Sequence, residues 1–198
     1  MTAMILMAGC AQIAEPDKVG TYRIETANLA YEEPDARDTS PVWVKGATAV
    51  EAARAVAADL RQAGVRDVSV DEDLAVVSGS SRSAQFIDCG IIDTGEGPDS
   101  RIPGTTAKSA IAVPDAQPTG FVWRLFDSST RFVIAIQPSG SGFAAHISEN
   151  HQARLTVRST DKDFVRQRET IEFTEAQGGE FTSGLSCVSS GLVRRLIK

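Results

Sequence analysis

The chain has 198 residues, of which 42% are apolar and 23% are charged, and its net charge is −6. This length and composition are typical of one globular domain with its own core. The negative charge argues against a nucleic-acid-binding protein, because neutralising phosphates requires a basic surface and the sequence has no basic run. No segment reaches the roughly 18–20 consecutive apolar residues that a membrane-spanning helix requires.

A short apolar run near the N-terminus ends in Met7-Ala8-Gly9-Cys10. This motif resembles the lipobox of bacterial lipoproteins, in which a peptidase cuts before a cysteine that carries a diacylglycerol. Ala8 and Gly9 are small, as that cut requires, although Met7 stands where the family usually has Leu. The resemblance implies export and a lipid on Cys10. No basic residue precedes the run, so we expect residues 1–9 to be the end of a truncated signal peptide. The alternative is an unstructured Met-rich terminus with a chance cysteine.

Two further cysteines, Cys89 and Cys187, remain once Cys10 is assigned to the lipid. In the oxidising periplasm they would form a disulfide that closes a long loop. Closing such a loop removes entropy from the unfolded chain and stabilises the fold by up to ~4–5 kcal/mol. If the protein instead stays in the cytoplasm, the two residues are unrelated buried thiols.

The segment at residues 10–46 is acidic and poorly patterned, which predicts a tether between the lipid and a single domain at 47–198. Alternating apolar residues at 22–26 allow a short strand within it. Pro41-Val42-Trp43-Val44 is the expected first contact with the domain.

A helix is predicted from Thr48 to Ala63. Thr48 and Glu51 have the spacing of a capping box, in which each side chain satisfies a free backbone N–H. Apolar residues then form one stripe at Val50, Ala53, Val56, Ala57, Leu60 and Ala63. Gly64 follows as the C-terminal stop.

After Gly64 the apolar period changes to two, which predicts strands. The first series is expected at 65–70, 74–77 and 85–92, with turns at 71–73 and 79–81. A long surface loop rich in Gly and Pro follows at 93–119. The second series is expected at 121–126, 131–137, 143–148, 153–158, 170–174 and 180–182, with turns at 127–129 and 138–142. A short helix is predicted from Ser190 to Ile197. The elements predict an α+β fold in which an antiparallel β-sheet is covered on one face by two helices.

Two phrases support the resemblance to lipoproteins: Phe86-Ile87-Asp88-Cys89-Gly90 and Cys187-Val188-Ser189-Ser190-Gly191-Leu192. Together with the lipobox they resemble a group of proteobacterial lipoproteins without an assigned activity, over about half of the chain. In architecture the chain is distantly similar to the helix-grip domains of the outer-membrane-assembly lipoprotein BamC.

The sequence carries no signature of a catalytic, cofactor or metal site. It has no G-x-S-x-G elbow, P-loop or dinucleotide-binding glycine motif. His146 and His151 are five residues apart with Glu149 between them, a spacing that suits neither a zinc site nor a metalloprotease helix, so we expect surface histidines. Four aromatic residues could line a groove but are expected in the core: Trp43, Phe121, Trp123 and Phe126.

The sequence therefore predicts a lipid-anchored cell-envelope protein, acting as a non-enzymatic accessory or binding module at the outer membrane with its domain in the periplasm. It would contact the membrane through the lipid on Cys10, with another envelope protein as partner and no nucleic acid or cofactor. In lipoproteins generally, Ala11 in place of Asp after the cysteine is compatible with sorting to the outer membrane. The alternative is a periplasmic enzyme or enzyme inhibitor whose active surface is the 93–119 loop.

Overall fold

The structure is a computed structural model that describes residues 30–35, 38–93, 101–105, 109–112, 121–159, 165–182 and 184–197. Cys10, the predicted strand at 22–26 and most of the predicted tether lie outside these residues. Among the residues described, no helix is both long and apolar enough to cross a bilayer.

The described residues form mostly strands. In chain order the elements are β1 (Ala30–Glu32), β2 (Val42–Val44), α1 (Ala49–Gln62), β3 (Asp67–Asp71), β4 (Val76–Ser81), a 3₁₀ turn (Ala84–Phe86), β5 (Ile87–Asp88), β6 (Ile91–Asp93), β7 (Arg101–Pro103), β8 (Ser109–Ala112), β9 (Phe121–Ser139), β10 (Gly142–Ser159), β11 (Val165–Thr174), β12 (Gly179–Glu180), β13 (Ser186–Ser189) and α2 (Leu192–Leu196).

The main sheet is antiparallel and is built on the long hairpin of β9 and β10, which pair from Ser139↔Gly142 to Val122↔Ser159. The hairpin turns at Gly140, whose φ of +59° lies in the left-handed region that glycine adopts without steric cost. The strand order is β11-β10-β9-β4-β3, with β2 on β10 and β8 on β9 where their neighbours end. Two smaller sheets, β1-β6-β7 and β12-β13-β5, complete the fold.

The predicted helix is confirmed as α1. Thr48 is its N-cap and accepts a hydrogen bond from Glu51 N–H at 3.1 Å, while the Glu51 carboxylate accepts from Ala47 N–H at 3.1 Å. The residues that α1 buries against the main sheet are Ala52, Ala53, Val56, Ala57 and Leu60. Small alanines on this face let the helix backbone approach the sheet closely.

Two apolar cores lie on one face of the main sheet, at opposite ends of the hairpin. The first, under α1 and α2, includes Leu60, Val77, Phe132, Ile134 and Val193. The second, under the two small sheets, includes Phe126, Leu155, Phe173, Phe181 and Leu185. Because side chains alternate along a strand, the intervening positions of β9 and β10 point to the other face, where Arg131, Val133 and His146 are exposed.

The predicted fold class is wrong. The structure is mostly β-sheet with several sheets, and α1 is the one helix of seven or more residues in the part of the chain described. The helix predicted from Ser190 to Ile197 shortens to the five residues of α2, whose Val193 packs in the first core. The second core is covered by strands, with Ile87 of β5 and Cys187 of β13 among its residues.

The error has a physical cause in the polar segments. Residues 127–129 and 149–152 interrupt the apolar pattern, yet both continue long strands because their backbones pair across the hairpin. Residues 79–81, predicted as a turn, belong to β4. The 93–119 segment contributes β7 and β8, and the segment predicted as a tether contributes β1 and β2.

Candidate functional site

An open hollow of about 610 Å³ lies where β4 leaves the main sheet. We call it the arginine hollow, because Arg82, Arg131 and Arg154 line it together with the carboxylate of Asp127. The rest of its lining is largely hydroxyl-bearing: Ser80, Ser81, Ser128, Ser129 and Thr130. A smaller hollow of about 440 Å³ adjoins it beside β10 and β11.

The arginine hollow originates in a gap in the sheet. The last residue of β4 pairs as Ser81↔Thr130, and β8 begins its pairing with β9 at Ser109↔Arg124. Among the described residues, positions 125–129 of β9 therefore have no strand partner on this edge. A strand edge without a partner offers backbone donors and acceptors to an incoming group.

Of the three arginines around the gap, one forms an ion pair with a described residue and two do not. Arg154 forms an ion pair with Asp127, with Nη2 3.1 Å from Oδ2, and both side chains are about half exposed. Within the described residues, Arg82 and Arg131 have no ion-pair partner. The hollow therefore carries an excess of positive charge on a chain whose net charge is negative.

A series of four buried polar side chains, Thr130, His151, Glu149 and Ser189, lies behind the hollow, between the two apolar cores. The Thr130 hydroxyl is 2.9 Å from Nδ1 of His151, and Nε2 of the same ring is 2.9 Å from Glu149 Oε2. Ser189 donates its hydroxyl to that oxygen at 2.6 Å. The His151 ring stacks on Phe173 with centroids 4.9 Å apart. All four polar residues of this series are at most 2% exposed.

The order hydroxyl, imidazole, carboxylate is that of a nucleophile, its base and an orienting acid. Two observations argue against catalysis here. Thr130 is fully buried, so a substrate cannot reach its hydroxyl. The contact between His151 and Glu149 lacks hydrogen-bond geometry, and Nε2 has no other partner in the described residues. The arrangement thus fits a structural connection between the cores.

A partly buried ion pair between Arg194 and Glu175 reinforces this region. Arg194 of α2 donates from Nε to Glu175 Oε1 at 2.7 Å, and Glu175 donates its backbone N–H to Glu149 O at 3.1 Å. Burial raises the pKa of Glu175, an effect that outweighs the lowering by Arg194. Arg194 also donates to Ser40 O, which ties the segment before β2 to the C-terminal helix.

The predicted disulfide is present. Cys89 and Cys187 are bonded, with Cα atoms 4.1 Å apart, and they continue the pairing of β5 with β13. The Tyr31 hydroxyl lies beside this bridge: it is 3.0 Å from Ser186 O and accepts from Ser186 N–H at 3.0 Å. Burial raises the pKa of Tyr31, although the bonds with Ser186 oppose that shift.

The structure separates the two histidines. His146 is exposed on the outer face of the main sheet, as predicted, but His151 points to the inner face and is buried, so the prediction of a surface residue is wrong there. The sequence did contain a signal for this burial. Side chains at odd-numbered positions of β10 point to the same face, and Glu149 and His151 therefore face inward with the apolar residues Ala153 and Leu155. Within the described residues, no group of three or more His, Cys, Asp or Glu side chains could hold a metal.

The four aromatic residues expected in the core do not all lie there. Phe126 is buried in the second core, as expected, whereas Trp43 on β2 is 64% exposed on the outer face. The side chains of Phe121 and Trp123 lie outside the described residues, as does Cys10. The arginines of the hollow were missed because they come from separate stretches of sequence and only the strand register brings them together.

Comparison with family models, with curated proteins and with solved structures finds no match to this chain. The functional argument therefore depends on the residues and their geometry.

Proposed function

We propose that this chain is an exported cell-envelope protein that acts as a non-enzymatic binding module, held at the outer membrane by a lipid on Cys10 with its domain in the periplasm. The observation that carries this proposal is the Cys89–Cys187 disulfide. Disulfides persist in oxidising compartments and are rare in the cytosol. Both cysteines are almost fully buried, which makes the bridge part of the second core.

The distribution of polar groups supports binding over catalysis. Thr130, His151 and Glu149 are the described residues that resemble a catalytic set, and they are enclosed. The charged groups that reach solvent at the hollow are arginines, which recognise anionic groups through charge-assisted hydrogen bonds. A module with this surface would hold a ligand or partner and leave it chemically unchanged.

Metabolic labelling tests the lipid anchor. Expressed in a bacterium from its native gene, the protein should incorporate labelled palmitate and fractionate with membranes. Cys10→Ala should abolish both, because the lipid is attached to that thiol. Stable anchoring requires more than one acyl chain, so loss of the lipids should release the protein.

Cys187→Ser is the matched control, since it removes a cysteine from the domain and leaves the lipobox intact. It should retain the label. Label that survives Cys10→Ala would contradict the lipid anchor. Free thiols at Cys89 and Cys187 in the protein recovered from cells would contradict export.

A further inference from the structure

We infer that the arginine hollow is a binding site for a small molecule that carries a carboxylate or phosphate group on a hydroxyl-rich body. The inference rests on the proposed binding function for its role and is independent of the lipid on Cys10. It follows from three features of the hollow: its unpaired charge, its unsatisfied hydrogen-bonding groups and its size.

The charge indicates an anion. Arg131 extends from β9 and Arg82 follows β4, so two guanidinium groups without an ion-pair partner among the described residues border the same gap. Arg154 adds a third guanidinium from β10, partly neutralised by Asp127. A guanidinium presents N–H groups in a fixed fork that matches the two oxygens of a carboxylate or phosphate. Such a ligand would supply the missing counter-charge.

The hydrogen-bonding groups indicate where the ligand would lie. The Ser128 hydroxyl is buried and has no hydrogen-bond partner in the described part of the chain. Ser128 lines the hollow, and by the alternation along β9 its side chain points to the inner face of the sheet, so its hydroxyl is available to a group that enters through the gap. Ser128 lies at the centre of the gap, between the last pair of β4 and the first pair of β8.

The backbone of β9 also supports a ligand in the gap. Ile136 donates its N–H to Ala75 O, so the even-numbered residues of β9 direct their backbone groups toward the β4 edge. The pairing of β9 with β10 continues without a shift through this region, and the same alternation therefore aims the N–H and C=O of Ser128 into the gap. A molecule in the gap would meet an N–H and a carbonyl of Ser128, with the hydroxyl on the inner side of the sheet.

The size and lining indicate the class of ligand. About 610 Å³ lies within the ~300–1,000 Å³ typical of small-molecule sites. The serine hydroxyls around the arginines suit a body that both donates and accepts hydrogen bonds. A sugar acid or a phosphorylated polyol has this chemistry, whereas an apolar ligand would leave most of the lining unsatisfied.

Titration of the full chain with glucuronate, glycerol 3-phosphate and glucose tests the site. Both anionic probes should bind, measured by calorimetry, and glucose should bind far more weakly or not at all. In ¹H–¹⁵N spectra the largest shifts should fall on the backbone amides of residues 125–131. Arg131→Gln should weaken anionic binding by about tenfold or more, since a charge-assisted bond is lost. Ser128→Ala should weaken it to a smaller extent.

Arg66→Gln is the matched control, because Arg66 is exposed and lies outside the hollow. It should bind like the unmodified chain. Arg131 is itself exposed, so its substitution leaves the core intact, and an unchanged unfolding curve would verify this. No binding of either anion, equal binding of glucose, or equal effects of Arg131→Gln and Arg66→Gln would overturn the site. Failure of the palmitate experiment alone would leave this result standing.

The same phosphate-polyol chemistry occurs free in solution and in lipid headgroups. Vesicles of phosphatidylglycerol in phosphatidylcholine, tested with the unlipidated Cys10→Ala chain, separate the two sources. The lining offers few apolar side chains that could insert among lipids, so soluble glycerol 3-phosphate should bind and the vesicles should not. Vesicle binding that Arg131→Gln abolishes would overturn the free-ligand assignment in favour of a headgroup.

Discussion

Ser189 and Glu149 form a hydrogen bond of 2.6 Å between the end of β13 and the middle of β10, across 40 residues of sequence. The same hydroxyl accepts from Gly191 N–H at 3.0 Å, immediately before α2 begins. One side chain thus joins the central hairpin, the disulfide-bearing sheet and the start of the C-terminal helix. Because Glu149 lies between the two apolar cores, this bond couples their packing.

Ser189→Ala should destabilise the fold by roughly 1–3 kcal/mol, because a buried carboxylate would lose a hydrogen-bond donor that water cannot replace. Urea denaturation would measure the change. Ser148→Ala removes the same hydroxyl from the exposed face of β10, one residue before Glu149, and should change the stability by less than about 0.5 kcal/mol. Similar losses in the two variants would show that Ser189 does not connect the cores.

Gly79 occupies the interior of β4 directly opposite Phe132, and the aromatic ring fills the space that a side chain would otherwise take. A methyl group there would overlap the ring, which is 1% exposed and cannot move outward. Gly79→Ala should therefore cost about 1–3 kcal/mol through overpacking.

Gly142→Ala is the control for this substitution, because a Cβ at Gly142 meets no atom within 4 Å. Thermal unfolding of both variants would compare them. Gly142→Ala should leave the melting temperature nearly unchanged, and an equal fall in both variants would mean that strand flexibility, and not the Phe132 ring, accounts for the loss.

The helix α1 and the disulfide could be predicted from the sequence, because each depends on local or pairwise chemistry. Thr48 and Glu51 mark the helix start within one turn, and once Cys10 is assigned to a proposed lipid, Cys89 and Cys187 have only each other as partners. The long hairpin could not be predicted in the same way. Polar residues at 127–129 resemble a turn, and only the facing strand shows that they continue β9. The arginine hollow depends on the same register and was missed with it.

Removing the disulfide should destabilise the second core. Replacing both Cys89 and Cys187 with alanine should cost about 2–5 kcal/mol, since the unfolded chain regains the freedom of a 98-residue loop. Guanidinium denaturation with and without reductant would measure this. Reductant should lower the stability of the unmodified chain and leave the double variant unchanged. Insensitivity of the unmodified chain to reductant would contradict a stabilising bridge.

Glu175 should make the stability depend on pH in a specific direction. Burial raises its pKa above the ordinary value of 4.5, so the folded state binds this proton more tightly than the unfolded state does. The stability that Glu175 contributes is therefore fully present below the unfolded pKa and is lost as the pH rises through the folded pKa. Glu175→Gln removes this contribution. The stability of the unmodified chain, minus that of Glu175→Gln, should increase as the pH falls from 7 to about 4.

Urea denaturation at several pH values would measure that difference. Taking the difference between two chains cancels the acid-sensitive contributions of other carboxylates, such as Glu72, whose pKa is lowered by its hydrogen bond with Arg54. Glu180→Gln, at an exposed position, controls for the loss of one negative charge. A difference that stays constant with pH, or that decreases on acidification, would show that the ion pair with Arg194 outweighs burial at Glu175.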